Sequence, residues 1–133
     1  MSTQQKHAWF NLVVGVTSIL TYFALLPLIG PWRAMGAFGL LGFAGFGALF
    51  YLKAKKSGRV VSDERDQMIG AKASTIAWSV IWVSLIAAFL ATLRFLGEDG
   101  SIPVRGLSMA IWWAFCVFLV VQSLATLTLY ARQ

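Results

Sequence analysis

Four apolar runs, at about 8–30, 34–52, 74–96 and 106–130, take up most of this chain. A helix needs roughly 20 apolar residues to cross a hydrocarbon core about 30 Å thick, and each run is close to that length. A soluble domain of 133 residues has too little interior to hide them all. Only 12% of residues are charged, against about 25% in ordinary soluble domains, so the bilayer is the solvent these runs require. Strand-like alternation, which a transmembrane barrel needs, is absent. The expected fold is all-α: a single-domain integral membrane four-helix bundle over residues 1–133, made of two transmembrane hairpins. The first run is too long for a cleaved signal peptide, and no small-residue cleavage site precedes GPWR, so it is expected to remain.

The connections set the order of the spans. Between the first two lies GPWR, with Gly30 suited to ending one helix and Pro31 to starting the next. GEDGSIPVR joins the last two and reads as a polar turn. The long connection is central, residues 53–73, and it carries the most charge. An even number of spans puts both termini on the same side as this loop. That side holds Lys6, Lys53, Lys55, Lys56, Arg59, Arg65, Lys72 and Arg132, and the other holds Arg33, Arg94 and Arg105. Positive residues in short loops stay in the cytoplasm, so both termini are expected inside. A formal charge of +6 then describes a cytoplasmic rim facing anionic lipid headgroups. Because these charges adjoin the spans, nucleic acid is not an expected partner. Trp9, Trp32, Tyr51 and Tyr130 fall near span ends, where aromatic rings anchor at headgroup level.

Three of the five carboxylates, Asp63, Glu64 and Asp66, lie in VVSDERDQMIGAKAS, residues 60–74. Ser62 is placed to cap a helix whose first turn carries those acids, where negative charge favours the exposed amides. Nothing stronger than Gly70 interrupts the sequence from there into TIAWSVIW. The helix is therefore expected to run into the third span as a cytoplasmic extension, about 20 Å beyond the membrane core. The segment is also the candidate docking surface, carried by Ser62, Asp63, Glu64, Arg65, Asp66, Ile69 and Lys72.

Small residues in the second run suggest a helix contact, because they let backbones approach closely in lipid. On a 100° wheel Gly36, Ala37, Ala44, Gly47 and Ala48 share one broad side. That side is the candidate packing face, within one molecule or between copies. Catalytic signals are missing. His7 is the only histidine and Cys116 the only cysteine, and no phosphate loop, HExxH or GxSxG occurs. No carboxylate lies inside a span, and Arg94 is close enough to a helix end to reach outward. Asn11, Thr17, Ser18, Thr21, Ser79, Ser84, Gln122, Ser123 and Thr126 are expected to bond across helices or back to their own backbone. No cofactor or metal site is expected, since the three acids lack spaced loop ligands.

The pattern DERDQMIGAKA, between two apparent hairpins, resembles small uncharacterised prokaryotic four-span membrane proteins with an Asp-Glu-Arg-Asp, Ile, Lys-Ala signature. Here those positions are Asp63, Glu64, Arg65, Asp66, Ile69, Lys72 and Ala73. The resemblance implies a multi-pass protein of the prokaryotic inner membrane and supplies no reaction. The expected function is a non-enzymatic interaction or regulatory subunit that docks a membrane-protein partner or another copy, as a homo-oligomer, through residues 60–74. A small oligomeric transporter or channel is the alternative, and a membrane enzyme acting on a lipid-like substrate is a further one. A bound lipid, ion or substrate in a polar cavity within the spans would favour these alternatives. A sealed apolar bundle with an exposed cytoplasmic patch would favour docking.

Overall fold

The computed structural model describes residues 1–58 and 62–132. Among these every regular element is a helix: α1 (Thr3–Ala34), a 3-10 helix (Met35–Gly47), α2 (Ala48–Lys56), α3 (Glu64–Leu96) and α4 (Val104–Ala131). Three stretches are long and apolar enough to cross a membrane, namely Thr3–Lys56, Glu64–Leu96 and Val104–Ala131.

The first stretch does not run straight. A straight 54-residue helix would be about 81 Å long, yet the rings of His7 and Tyr51 lie 5.3 Å apart. The reversal occurs at Gly30, whose φ of 82° and ψ of 164° are non-helical and are open to glycine at little steric expense. Pro31 follows without an N–H to give, as a helix start allows. Tyr22 and Phe38, each eight residues from Gly30, stack at 5.3 Å, and Phe10 and Phe50, each twenty away, meet edge-on at 5.7 Å. The two arms are therefore antiparallel.

The returning arm has an unusual backbone. Runs of 3-10 helix rarely exceed three or four residues, but this one has thirteen. At three residues per turn its side chains fall on three straight lines. Phe38, Leu41, Ala44 and Gly47 form the inner line: Phe38, Leu41 and Gly47 are buried, and Ala44 packs against the core. Leu40, Phe43, Phe46 and Leu49 form a second line, of which the last three are exposed. Gly36, Gly39, Gly42 and Gly45 make the third, where an added Cβ would meet nothing within 4 Å. Within one molecule only part of the expected packing face is covered. Ala44 and Gly47 pack inward on the inner line, Gly36 and Ala48 are exposed because a turn of about 120° per residue puts them on the glycine line, and Ala37 is buried at the start of the helix although it falls on the second line. The longer rise also has a use. It stretches the thirteen residues to about 26 Å instead of about 20 Å, which lets the shortest apolar run match the others in reach.

Packing joins the elements in a row. The returning arm lies on α1, α1 lies on α4, and α4 carries α3. Tyr22, Phe38 and Trp113 bind the first three together, with ring centroids 5.1–5.3 Å apart. Gly15 allows α4 to come close: a Cβ there would stand 2.7 Å from Val120 Cγ2. On α3 the buried positions Asp66, Ile69, Ala73, Ala77 and Ile81 recur every three or four residues and form one stripe. Ala73 and Ala77 are fully covered, as suits a close helix contact in lipid. The outer surface is apolar, with Trp82, Val83, Phe89 and Phe95 all more than 60% exposed. Water would not tolerate so continuous a patch, whereas lipid would.

The inner and open lines of the 3-10 helix predict opposite outcomes for the same substitution. Gly47→Leu drives a side chain into the His7 ring and towards Asn11, and is expected to destabilise the protein by about 1–3 kcal/mol. Gly42→Leu, facing open space, is expected to change stability by less than about 0.5 kcal/mol. Denaturation of both variants in detergent checks this, and equal effects would contradict the assignment of the inner line.

Candidate functional site at the polar end

The starts of α1 and α3 and the ends of α2 and α4 gather at one end of the molecule. Each start is capped. Ser2 accepts from the Gln5 N–H while the Gln5 side chain accepts from the Ser2 N–H, closing a capping box. At α3 the cap is Asp63, which accepts from the Asp66 N–H at 2.7 Å, and Asp66 returns the bond through Oδ2. This corrects the expectation for Ser62. Its hydroxyl donates to the Asp63 carbonyl instead and leaves the helix amides to the carboxylate, the stronger acceptor of the two.

α3 runs unbroken from Glu64 to Leu96, so the extension is continuous with the apolar stretch. It does not stand apart from the rest. Asp66 is 8% exposed and Ile69 2%, because the stripe that packs on α4 continues through them. Asp66 and Ile69 are therefore withdrawn from the expected docking surface, while Ser62, Asp63, Glu64, Arg65 and Lys72 are exposed. Residues 60 and 61 of that segment, and Arg59 of the charge count, lie outside the described residues.

The inward Asp66 is the centre of a clamp. Tyr130, at the end of α4, donates its hydroxyl to Asp66 Oδ1 and also lies 3.1 Å from Gln4 Oε1 on α1. Three elements thus meet at one hydroxyl. Gly70 makes room for the contact, since a Cβ there would stand 2.6 Å from Gln4 Nε2. A carboxylate removed from water requires such donors, because an unpartnered one costs several kcal/mol.

Beside the clamp lies a polar chamber of about 170 Å³. α1 contributes Gln4, His7 and Asn11, α2 contributes Tyr51, α3 contributes Gly70, and α4 contributes Gln122, Ser123 and Thr126. His7 is held edge-on to Tyr51, and its Nε2 lies 3.4 Å from Asn11 Nδ2. Gln122 crosses to α3 and donates to Ser74 Oγ at 2.9 Å. Ser123 and Thr126 donate to carbonyls of their own helix, Leu119 and Gln122. Asn11 Oδ1 is buried with no partner among the described residues. In sequence these polar residues read as isolated packing groups, and their shared depth follows only once α1 and α4 are set antiparallel. A second hollow, a groove of about 300 Å³, opens at the rim between the start of α1 and the end of α2. Thr3, Lys6, Phe50, Lys53, Ala54 and Ser57 line it. No group of three or more metal-ligating side chains occurs among the described residues, and Cys116 is buried against the Gly15 carbonyl at 3.7 Å.

Cap and clamp make separable predictions. Asp63→Ala is expected to cost about 0.5–2 kcal/mol at the start of α3, and Ser62→Ala almost nothing. Tyr130→Phe leaves the Asp66 carboxylate short of a donor and is expected to raise amide exchange over residues 64–70 by about tenfold or more. Hydrogen exchange of the detergent-solubilised protein reads all three. Unchanged exchange in Tyr130→Phe would show that the clamp does not hold the segment.

No curated protein and no solved structure matches the chain. A family match does, over residues 6–133, which is nearly all of the sequence and leaves out only the first five residues, with the α1 cap and Gln4 among them. With helices apolar enough to span a bilayer and an outer surface that only lipid would cover, the chain belongs to the predicted membrane protein family DUF2178, a domain of unknown function.

Proposed function

We propose that the protein is a four-span protein of the prokaryotic inner membrane, with both termini in the cytoplasm, that acts as a non-enzymatic interaction or regulatory subunit. The fold-back at Gly30 supports four crossings, because it lays the two arms of the first stretch side by side. Charge supports the orientation. Lys6, Lys53, Lys55, Lys56, Arg65, Lys72 and Arg132 are exposed and sit towards the gathered ends, and positive residues are retained in the cytoplasm.

The observation that carries the docking reading is the division of the α3 start into two faces. Asp66 and Ile69 tie one face into the molecule, and Glu64, Arg65, Met68 and Lys72 are left on the outside of a capped, clamped helix. A rigid outer face loses little conformational entropy when a partner covers it. The partner is a membrane protein or a second copy of this chain. Anionic lipid is the companion ligand, and the groove between Lys6 and Lys53 offers two cationic side chains and two hydroxyls to a headgroup. The polar chamber favours the alternative reading, a small oligomeric transporter or channel, because it gathers polar side chains from α1, α2 and α4 into one hollow between apolar helices.

Two measurements check this reading. In a Cys116→Ala background, a cysteine at Ser101 is expected to react with an impermeant thiol reagent in intact cells and one at Ser57 is not. The reverse pattern would overturn the orientation. Arg65→Glu combined with Lys72→Glu is expected to reduce recovery of a co-purified partner or dimer by about tenfold or more, with the spans still folded. Unchanged recovery would contradict docking through the outer face.

A further inference from the structure

The groove at the rim is graded along its depth, which a general attraction to anionic lipid does not require. On α1, Thr3, Lys6 and Phe10 are spaced three and four residues apart and share one face, and Ser57, Lys53 and Phe50 do the same back along the end of α2. Each face therefore reads hydroxyl, ammonium, phenyl from the helix end inward, over about 10 Å. Because the two arms are antiparallel, the gradients run together. Lys6 and Lys53 line the same groove, with Thr3 and Ser57 towards the helix ends and Phe50 at the inner end, where it meets Phe10 edge-on at 5.7 Å.

Charge and donors narrow the occupant. Neither lysine has an ion pair or a side-chain hydrogen bond among the described residues, and no carboxylate of theirs lines the groove. Two ammonium groups brought together repel, and an anion between them replaces that repulsion with charge-assisted hydrogen bonds. The Ser57 hydroxyl gives its proton to the Ala54 carbonyl at 3.0 Å, so the donors left are the two ammonium groups and the Thr3 hydroxyl. These suit the oxygens of a terminal phosphate. A phosphomonoester carries about −1.5 to −2 of charge near pH 7 and balances both lysines, whereas a singly charged phosphodiester leaves one short. At about 300 Å³ the groove is at the size where small-molecule pockets begin, more than a lone phosphate fills. We infer that the groove is a binding site for a glycerophospholipid whose headgroup is a bare phosphomonoester, with the phosphate between Lys6 and Lys53 and the glycerol ester against Phe50. This site deepens the companion-lipid reading, on which it rests, by naming the headgroup.

The test uses the full chain in nonionic detergent, with native mass spectrometry following the binding of dioleoyl phosphatidate and, separately, of dioleoyl phosphatidylmethanol. The second lipid is the diester made from the first by one added methyl group. Phosphatidate is expected to bind about tenfold or more tightly. Lys6→Gln and Lys53→Gln are each expected to remove that preference, whereas Lys55→Gln, which deletes the same charge from exposed surface outside the groove, is expected to keep it. Inorganic phosphate in large excess is expected not to displace phosphatidate, and the Arg65→Glu, Lys72→Glu protein is expected to bind it as the unaltered chain does. Equal binding of the two lipids would overturn the inference and leave a general anionic-lipid companion in place, and binding of neither would overturn both. Displacement by inorganic phosphate, or a loss in Lys55→Gln equal to that in Lys6→Gln, would overturn the inference as well.

Discussion

The bond from Tyr130 to Asp66 ties the start of α3 to the end of α4 across sixty-four residues of sequence. A carboxylate with 8% of its surface exposed needs a donor wherever the chain places it, and here the donor comes from the far end of α4. That requirement sets the register of α3 on α4. From the same register Trp78 meets Phe118 at 5.1 Å and Gln122 meets Ser74. Gln4 adds α1 to the junction. The chamber exists because these three helices and the end of α2 are drawn to one place while His7, Asn11 and Tyr51 keep them from closing completely. Asp66 also closes the capping box of its own helix, so one side chain both starts α3 and positions it.

Away from this end, packing rests on shape. Lipid is as apolar as a leucine side chain, so apolar contact alone does not drive helices together in a membrane. Close approach does, and the contacts are built on small residues: Gly15 and Cys116 between α1 and α4, Ala73 and Ala77 on α3, Ala37 and Gly47 on the returning arm. At the end opposite the chamber, Arg105 lies 5.2 Å over the Trp32 ring and ties the fold-back to the start of α4. α3 has α4 as its main neighbour, and most of its apolar surface faces outward.

What could be read from sequence was local. The apolar runs, the reversal at Gly30-Pro31 and the helix start near residue 63 all follow from composition or from one residue's backbone freedom. The failures share a cause, which is that faces and partners depend on geometry the local pattern does not carry. Glycines at 36, 39, 42 and 45 drift around an α-helical wheel but fall on one line of a 3-10 helix. Ser62 and Asp63 are both good caps, and the choice fell to Asp63 because Asp66 stands three residues on to reciprocate. Asp66 and Ile69 looked like surface in a charged loop, and only the α3 stripe, with Tyr130 sixty-four residues away, turns them inward. Asn11, Gln122, Ser123 and Thr126 were visible as polar residues, but their meeting depends on two long-range registers.

The central claim is that Asp66 and Tyr130 act as a pair, and a double-mutant cycle measures that directly. Asp66→Asn, Tyr130→Phe and the double variant are compared with the unaltered chain for unfolding free energy in one detergent. The account predicts a coupling of about 1.5–3 kcal/mol, as for a hydrogen bond to a charged group, with the double variant less destabilised than the two single effects combined. Strict additivity, within about 0.3–0.5 kcal/mol, would show that the two residues do not hold each other and would contradict the account.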